Sequence, residues 1–302
     1  MSENKTGLLQ HFFYSQKMAP YVFVLPFLLS FFLFFFWPSL QTIFMSFHRV
    51  YGLNNMEFIG LKNYARLNNI HFFNAVRTNT IYVFFCICTI IPVSLILAVL
   101  LNTKFIHGRN VFRAIVFIPS LTSVIVAGVA FRLIFGSLPS ALANWFLSFA
   151  GIGPVNWTMN AWSGMVILLF LVIWRITGIY MIYFLSALQA IPEELYESAD
   201  IDGAGTVGKF FRITLPLVKP TSIYVLTLVV FEGYRMFSES FVFWQDGNPG
   251  DIGLTITRYI YQEAFHQNDM GFGSAIGITM LFIVLLINLI QLNSFGLFKK
   301  DA

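Results

Sequence analysis

Residues 81–101 read IYVFFCICTIIPVSLILAVLL, a stretch without a single charged side chain. A helix of this length rises far enough, at 1.5 Å per residue, to cross about 30 Å of hydrocarbon. The whole chain has the same character, because its 302 residues are 57% hydrophobic and only 11% charged, whereas soluble domains are about a quarter charged. The stretch therefore predicts a membrane protein.

Five further apolar segments flank this stretch. The first follows Lys5 and Lys17, but it is too long for the core of a signal peptide and has no small-x-small cleavage site, so it is interpreted as an anchor. The sequence thus predicts an all-α integral membrane protein with one transmembrane domain, 20–295, and tails 1–19 and 296–302. The six predicted spans are 20–44, 81–101, 112–135, 161–187, 218–242 and 274–295.

The distribution of Lys and Arg predicts the orientation, because these residues are retained on the cytoplasmic side. With the N-terminus inside, the cytoplasmic segments carry more of them than the external ones, and the external loop 136–160 contains none. Both termini are therefore predicted to be cytoplasmic. The net charge of +4 reflects this topology, and no basic surface for nucleic acid is predicted.

The sequence predicts neither a metal site nor catalytic residues. Cys86 and Cys88 are two positions apart and so point to different faces of a helix, which favours packing roles. A paired-thiol redox site is the alternative, although the CxxC spacing is missing. The five histidines are scattered and show no metal-ligand spacing such as HExxH.

The longest predicted cytoplasmic loop, residues 188–217, has the features of two short helices joined by a turn. Pro192 suits the first turn of a helix, Gly203 permits a sharp turn, and Thr206 can cap a second helix. An exposed apolar face on such a loop indicates a partner that covers it. The residues of this face are Val207, Phe210, Phe211 and Ile213, followed by the interrupting prolines Pro216 and Pro220.

The spacing within this loop resembles the EAA loop of ABC-importer permeases, whose pattern is E-A-A-x3-G-x9-I-x-L-P. Glu197-Ser198-Ala199, Gly203 and Ile213-Thr214-Leu215-Pro216 match it, with Ser198 in place of the first alanine. The resemblance extends along nearly the whole chain, including Phe58-Ile59-Gly60-Leu61-Lys62-Asn63-Tyr64. It is strongest to the sugar-permease branch, of the maltose-transporter type.

This resemblance implies a non-catalytic permease subunit of the prokaryotic inner membrane that imports a sugar, in particular an oligosaccharide, by alternating access. It implies as partners a second homologous permease, a dimeric cytoplasmic ABC ATPase that holds ATP and Mg²⁺, an external solute-binding protein, and membrane lipid. The implied ATPase-docking residues are Glu197, Ser198, Ala199, Asp202, Gly203, Ala204, Phe210, Ile213, Leu215 and Pro216.

A second motif in the loop is excluded as a nucleotide site. Residues 203–209 satisfy the GxxxxGK part of a P-loop, but Phe210 stands where Ser or Thr must hold magnesium, and a helix is predicted where a strand must precede the motif. We therefore expect no cofactor in this chain.

Polar residues within the apolar segments are candidates for a substrate pathway, because ionisable groups are costly in hydrocarbon. Glu232, Arg235 and Glu239 are spaced to share one helix face, on which Arg235 can pair with either carboxylate. Aromatic and amide side chains suit sugars, whose ring faces stack while their hydroxyls need donors and acceptors. The predicted pathway residues are Trp174, Arg175, Tyr180, Tyr183, Glu232, Arg235, Glu239, Asn288 and Gln291.

Other interpretations of these residues remain open. The charged cluster can instead form salt bridges to the second permease or stabilise a gate, and single aromatic residues more often belong to the core or the interfacial belt. The intramembrane arginines also suit a permease for glycerol phosphate or a polyol. Two further alternatives are a proton-coupled carrier that uses Glu232 or Glu239, and a membrane-embedded enzyme that uses these carboxylates as acid and base.

Overall fold

The computed structural model of the chain describes residues 17–51, 55–103, 107–244 and 249–296, and most of them are helical. The predicted tails therefore lie largely outside the described residues. Helices α1 to α8 are Ala19–Phe31, Trp37–Ser46, Lys62–Ala65, Ile70–Asn102, Arg109–Phe117, Val124–Ile134, Leu142–Phe149 and Ala161–Gln189. Helices α9 to α15 are Glu193–Ile201, Thr206–Lys209, Leu215–Leu217, Lys219–Tyr234, Ser238–Phe243, Ile256–Tyr261 and Met270–Ser294.

Several of these helices can cross a membrane. Within the described residues, four segments are long and apolar enough, and the number rises to six if each of two bent helix pairs forms one span. The four are Pro20–Ser46, Ile70–Asn102, Ala161–Gln189 and Met270–Ser294. The pairs are Arg109–Leu121 with Val124–Ile134, bent by 95°, and Thr206–Leu217 with Lys219–Tyr234, bent by 66°.

Three helical segments differ from the straight spans expected from hydropathy. Helix α4 begins at Ile70, because Asn69 caps it by accepting a hydrogen bond from the Phe72 amide at 2.9 Å. The segment 112–135 is broken by a 3₁₀ turn, Ile118–Leu121, at Pro119, whose ring removes a backbone donor. The segment 218–242 is broken after α12, at the point where the candidate site lies.

The chain divides into two compact units, Met1–Arg66 with Glu263–Ile278 and Leu67–Gln262 with Thr279–Ala302. The first unit contains an antiparallel hairpin, β1 (His48–Tyr51) and β2 (Asn55–Phe58), in which His48 pairs with Phe58. The all-α prediction did not include this hairpin. Buried Asn63 anchors its base by donating to the carbonyls of Ser46 and His48 at 3.0 and 2.9 Å.

The first membrane-length helical segment, Pro20–Ser46, exposes apolar side chains on every side. The hydrophobic window that defines this span contains no buried residue, and the Phe23 side chain is 82% exposed. A helix that is hydrophobic all round is covered by lipid or by other protein. This segment therefore presents its phenylalanines to the membrane or to another subunit.

The core of the second unit is formed by α4 and α8, which pack along each other. Ala75, Ile90 and Ala98 of α4 are buried, as are Leu171 and Phe184 of α8. Helix α5 also packs closely on α8. The contact is at Gly178, a small residue that lies against the backbone of α5 at Val116 and Phe117. The two cysteines of α4 do face different environments: Cys86 is buried, whereas Cys88 is exposed and so has no packing role within this chain.

Candidate functional site: a cavity at a helix break

A break in the fifth predicted span forms the candidate site. Helix α12 ends at Tyr234, Arg235–Phe237 leave the helical path, and α13 begins at Ser238. The expectation that Glu232, Arg235 and Glu239 share one continuous helix face was therefore wrong. Irregular backbone at membrane depth is tolerated where it is buried in protein or lines a cavity, and helix breaks of this kind mark binding sites in transporters.

Side chains from distant elements satisfy the backbone at this break. Asn79 is fully buried, and its side chain donates to the Gly233 carbonyl at 2.9 Å and accepts from the Ile256 amide at 2.8 Å. Thr257 donates to the Met236 carbonyl at 2.5 Å. Because the freed backbone groups have partners, the break is a fixed part of the fold and not a frayed helix end.

A cavity of about 200 Å³ lies beside the break. Its wall comes from α4, α6, α8, α12, α13 and the break itself, all within the second unit, and it is partly open. The residues that line it include Tyr82, Cys86, Ile90, Val172, Arg175, Tyr180, Glu232, Arg235, Ser238 and Glu239. Five of the predicted pathway residues are therefore brought together: Arg175, Tyr180, Glu232, Arg235 and Glu239.

The ion pair in this wall joins α8 to α13. Arg175 Nη2 lies 3.1 Å from Glu239 Oε1, and the two side chains are only 21% and 11% exposed. The sequence spacing offered Arg235 either carboxylate as a partner, and Arg235 contacts Glu232 at 3.3 Å, with both side chains about half exposed. The Arg175 Nε atom is buried without a hydrogen-bond partner in the described residues.

The other four predicted pathway residues do not line this cavity. Trp174 packs its ring against Phe131, with 5.6 Å between the ring centroids, and Tyr183 lies between Tyr180 and Tyr224. Gln291 donates to Thr227 at 2.7 Å, and Asn288 to the Val284 carbonyl at 2.9 Å. Gln291 therefore joins α15 to α12, whereas Asn288 bonds within its own helix.

Three polar residues of the cavity wall were not predicted to line a pathway: Tyr82 and Ser238 were not selected, and Cys86 was assigned a packing role. Tyr82 and Cys86 are four positions apart on α4, which places them on one helix face. That spacing was a usable signal, because both residues lie in the otherwise apolar stretch 81–101. Ser238 had no comparable signal, since its position depends on the break.

A buried arginine fixes the far end of α13. Arg258 is 3% exposed, and it donates through Nη1 to the Ser240 carbonyl at 2.6 Å and through Nη2 to the Trp244 carbonyl. In the part of the chain that the structure describes, no carboxylate lies within ion-pair distance of it. Burial lowers the pKa of Arg258 to about 10, so the side chain is still protonated at neutral pH and holds the carbonyl end of α13.

We expect the substitution Arg258→Met to lower the free energy of unfolding by about 3 kcal/mol, because two buried carbonyls lose their donor at about 1–3 kcal/mol each. Thermal unfolding of the detergent-purified protein measures the change. Arg212→Met is the matched control, because Arg212 is exposed. Equal melting temperatures for the two variants would contradict the role assigned to Arg258.

The loop between α8 and α12 has the two-helix form expected from its sequence, with differences in detail. Helix α9 follows Pro192, and Gly203 has a φ of 76°, the left-handed conformation that suits glycine. Thr206 does not cap α10, because Gly205 occupies the cap position and no side chain caps the helix there. Pro216 does not end the second helical stretch, which continues to Leu217 and bends at Val218.

Two side-chain contacts hold the loop together. Lys209 Nζ lies 2.5 Å from Asp200 Oδ1, and the Tyr196 hydroxyl lies 2.9 Å from Thr214 Oγ1. Of the implied docking residues, Glu197, Ser198, Asp202, Gly203, Leu215 and Pro216 are exposed, whereas Ala199, Ala204, Phe210 and Ile213 are half-buried. Within this loop, the most exposed large apolar residue is Ile201, at 87%, and sequence reasoning did not select it.

The fold defines a class of protein: a multi-pass helical membrane protein with a cavity at a broken span and an exposed two-helix loop. Residues 72–295 match the family described as binding-protein-dependent transport system inner membrane component. The chain belongs to this family, and the family resemblance read from the sequence is confirmed.

Individual relatives support this family assignment, and a solved structure shares the fold. The chain is 50% identical to the arabinooligosaccharides transport system permease protein of Halalkalibacterium halodurans, over 98% of this chain and 93% of that protein. It is 48% identical to the protein of that name in Bacillus subtilis, over 96% and 92%. A bacterial alginate ABC transporter, solved in complex with alginate pentasaccharide-bound periplasmic protein, shares the fold, with a TM-score of 0.82, 22% identity, and coverage of 94% of this chain and 96% of that one.

Proposed function

We propose that this chain is a permease subunit of an ATP-driven importer that moves an oligosaccharide from an external solute-binding protein into the cytoplasm. The observation that carries the proposal is the cavity at the helix break, in a chain half identical to arabinooligosaccharide permeases. A chain of pentose units is the first substrate to test. The binding protein is a proposed partner because the alginate transporter of the same fold was solved with one.

The cavity has the chemistry that a sugar requires. Tyr82 and Tyr180 line it with aromatic side chains, and Arg175, Glu232 and Glu239 add charged donors and acceptors. Neutral sugar hydroxyls bind well to a wall that carries both signs of charge, whereas a phosphorylated ligand needs an excess of positive charge. This balance favours a sugar over glycerol phosphate.

The proposal includes the topology and the remaining subunits. Six spans, the fifth of them beginning at Lys219 after the bend, leave both termini and the loop 188–217 in the cytoplasm, as the Lys and Arg distribution predicts. The exposed apolar side chains of the loop, among them Ile201, Val207 and Phe211, form a surface for a dimeric ABC ATPase. The ATPase binds ATP and Mg²⁺, and a second permease of the same family completes the pathway. Closure of the ATPases then reorients the cavity.

Reconstituted vesicles test the proposal. Uptake of labelled arabinotriose is expected to require ATP and the binding protein and to be unaffected by a proton ionophore. Uptake that follows a proton gradient without ATP would favour a carrier, and chemical conversion of the sugar by the permease alone would favour an enzyme. Binding of a panel of sugars and polyols to the cognate solute-binding protein identifies the substrate.

We expect Gly203→Val to uncouple transport, with uptake reduced at least about tenfold while the protein still inserts into the membrane. A β-branched residue at a φ of 76° is strained by about 1–2 kcal/mol, so the turn between α9 and α10 reorients. Gly205→Val is the control, because Gly205 has a φ of −66° and open space around its Cα. Normal uptake by Gly203→Val would refute the docking role of this loop.

A further inference from the structure

A second cavity, of about 190 Å³, shares no lining residue with the first and is here named the outer cavity. It lies between the first turns of α4, the first turns of α8, and the segment 250–253. In the proposed topology these helix ends are external. Its lining residues are Asn74, Arg77, Thr78, Ile81, Ala161, Trp162, Met165, Leu168 and Gly250–Gly253.

One wall of the outer cavity carries a fixed carboxylate. Asp251 Oδ2 lies 2.9 Å from His71 Nδ1 and 2.8 Å from Asn74 Nδ2, both on α4. Asp251 has a φ of 61°, a conformation that few residues other than glycine adopt. Strain of this kind persists only where surrounding contacts enforce it, and it is concentrated at ligand sites. Arg77, on the same helix, is exposed and makes no ion pair or hydrogen bond with any described residue.

Trp162 gives the outer cavity an exposed aromatic surface. Its backbone is fixed by Asn160, whose side chain accepts from the Trp162 amide at 2.9 Å, yet the residue is 62% exposed. The indole Nε1 donates to no acceptor among the described residues. A position in the aromatic belt of the membrane interface explains an exposed tryptophan. It does not explain why Asp251, whose backbone is strained and whose carboxylate is held by His71 and Asn74, lines the same cavity.

The two cavities lie along one face of α8. Met165 and Leu168 line the outer cavity, and Val172 and Arg175 line the central one, with the spacing of a single helical stripe. Leu168 and Val172 are only 1% and 4% exposed, so closed apolar packing separates the cavities. Trp162 and Arg175 are about 20 Å apart along the helix axis. Trp162 therefore lies outside the closed layer.

We propose that the outer cavity is a carbohydrate subsite that holds one sugar ring, stacked on Trp162 and hydrogen-bonded to Asp251 and Arg77. The inference rests on the proposed function, because a sugar must arrive from the external side. Aromatic faces combined with a few fixed donors and acceptors are the usual elements of sugar recognition. The cavity is smaller than the pockets of about 300 Å³ and more that enclose drug-sized ligands, so it suits a single ring of a longer chain.

Equilibrium binding of labelled arabinotriose to the complete transporter in nanodiscs, without binding protein and without ATP, tests the subsite. Trp162→Ala is expected to weaken binding about tenfold, equivalent to about 1.4 kcal/mol of lost stacking, whereas Trp162→Phe retains most of it. Trp145→Ala is the matched control, because Trp145 is 48% exposed and lines neither cavity. Both tryptophans are exposed, so the variants should fold.

Two results would overturn the subsite. One is a dissociation constant for Trp162→Ala equal to that of Trp145→Ala, and the other is the absence of any sugar binding to the wild-type complex under these conditions. ATP-dependent uptake by the wild type in the same preparation separates this failure from that of the proposed function. If uptake is normal while Trp162→Ala binds normally, only the subsite is refuted. If the wild type imports no sugar, the importer itself is refuted.

Discussion

The substitution Glu239→Ala should reduce sugar uptake by about a hundredfold or more. It leaves the Arg175 guanidinium uncompensated in a largely buried wall, and breaking a buried ion pair from one side costs about 3–5 kcal/mol. In the wild type this pair holds α13 against α8, so its loss changes both the charge and the shape of the cavity. Uptake into vesicles, normalised to the amount of inserted protein, measures the effect.

Glu232→Ala is the comparison for this substitution, because it removes a carboxylate from the same cavity without unpairing a buried charge. Its partner Arg235 is about half exposed, as Glu232 is, and exposed ion pairs contribute only about 0–1 kcal/mol. We therefore expect a far smaller loss of uptake. Similar losses of uptake for Glu239→Ala and Glu232→Ala would contradict the larger effect expected from breaking the buried ion pair. The exchange Arg175→Glu with Glu239→Arg adds a second readout: it restores uptake if the pair serves only to hold the helices, and restores folding without uptake if the groups contact the sugar.

The substitution Gly178→Ala should lower the free energy of unfolding by about 3 kcal/mol, the upper end of the usual cost of overpacking. An added Cβ meets the Val116 carbonyl oxygen and comes within 2.8 Å of Phe117 Cα. Both are backbone atoms of the segment that crosses α8, so no rotamer change relieves the clash. The amount of protein in the membrane and its melting temperature in detergent measure the loss.

A second glycine provides the control for Gly178. A Cβ added at Gly208, in the helical part of the loop, meets no atom within 4 Å apart from its own helix and chain neighbours. Gly208→Ala is therefore expected to be neutral or slightly stabilising, because alanine favours the helix more than glycine does. A melting temperature for Gly178→Ala equal to that of Gly208→Ala would show that α5 can move away from α8 at little cost.

Much of the helical architecture could be predicted from the sequence because it depends on local patterns. Apolar stretches of span length marked the main helices, and Gly203 marked the turn between α9 and α10. The hairpin at His48–Phe58 was missed because its strands are short and lie outside the apolar segments. The start of α4 was also missed, because Arg77 and Asn79 lower the hydropathy of its first turns while Asn69 provides the cap.

The candidate site could be predicted only in part. Charged residues at membrane depth pointed to Arg175, Glu232, Arg235 and Glu239, and all four line the cavity. Of the two carboxylates offered to Arg235, Glu232 is its partner. Glu239 pairs instead with Arg175, because the spacing rule assumes a continuous helix and this one breaks after Tyr234. The break depends on Asn79, which lies 154 residues before the Gly233 carbonyl that it binds, and no local pattern reports such a contact.

The sequence by itself determined that this is a helical membrane protein of the binding-protein-dependent permease family. Segment length, apolarity and the motif of the loop at 197–216 are local properties, which can be recognised one segment at a time. Only the tertiary structure decided that Glu239 pairs with Arg175, 64 positions away, that Trp174 faces Phe131 and not the cavity, and that a second cavity lies beside Trp162. Those features depend on which helix faces meet, and packing of distant residues selects among faces that the sequence leaves equivalent.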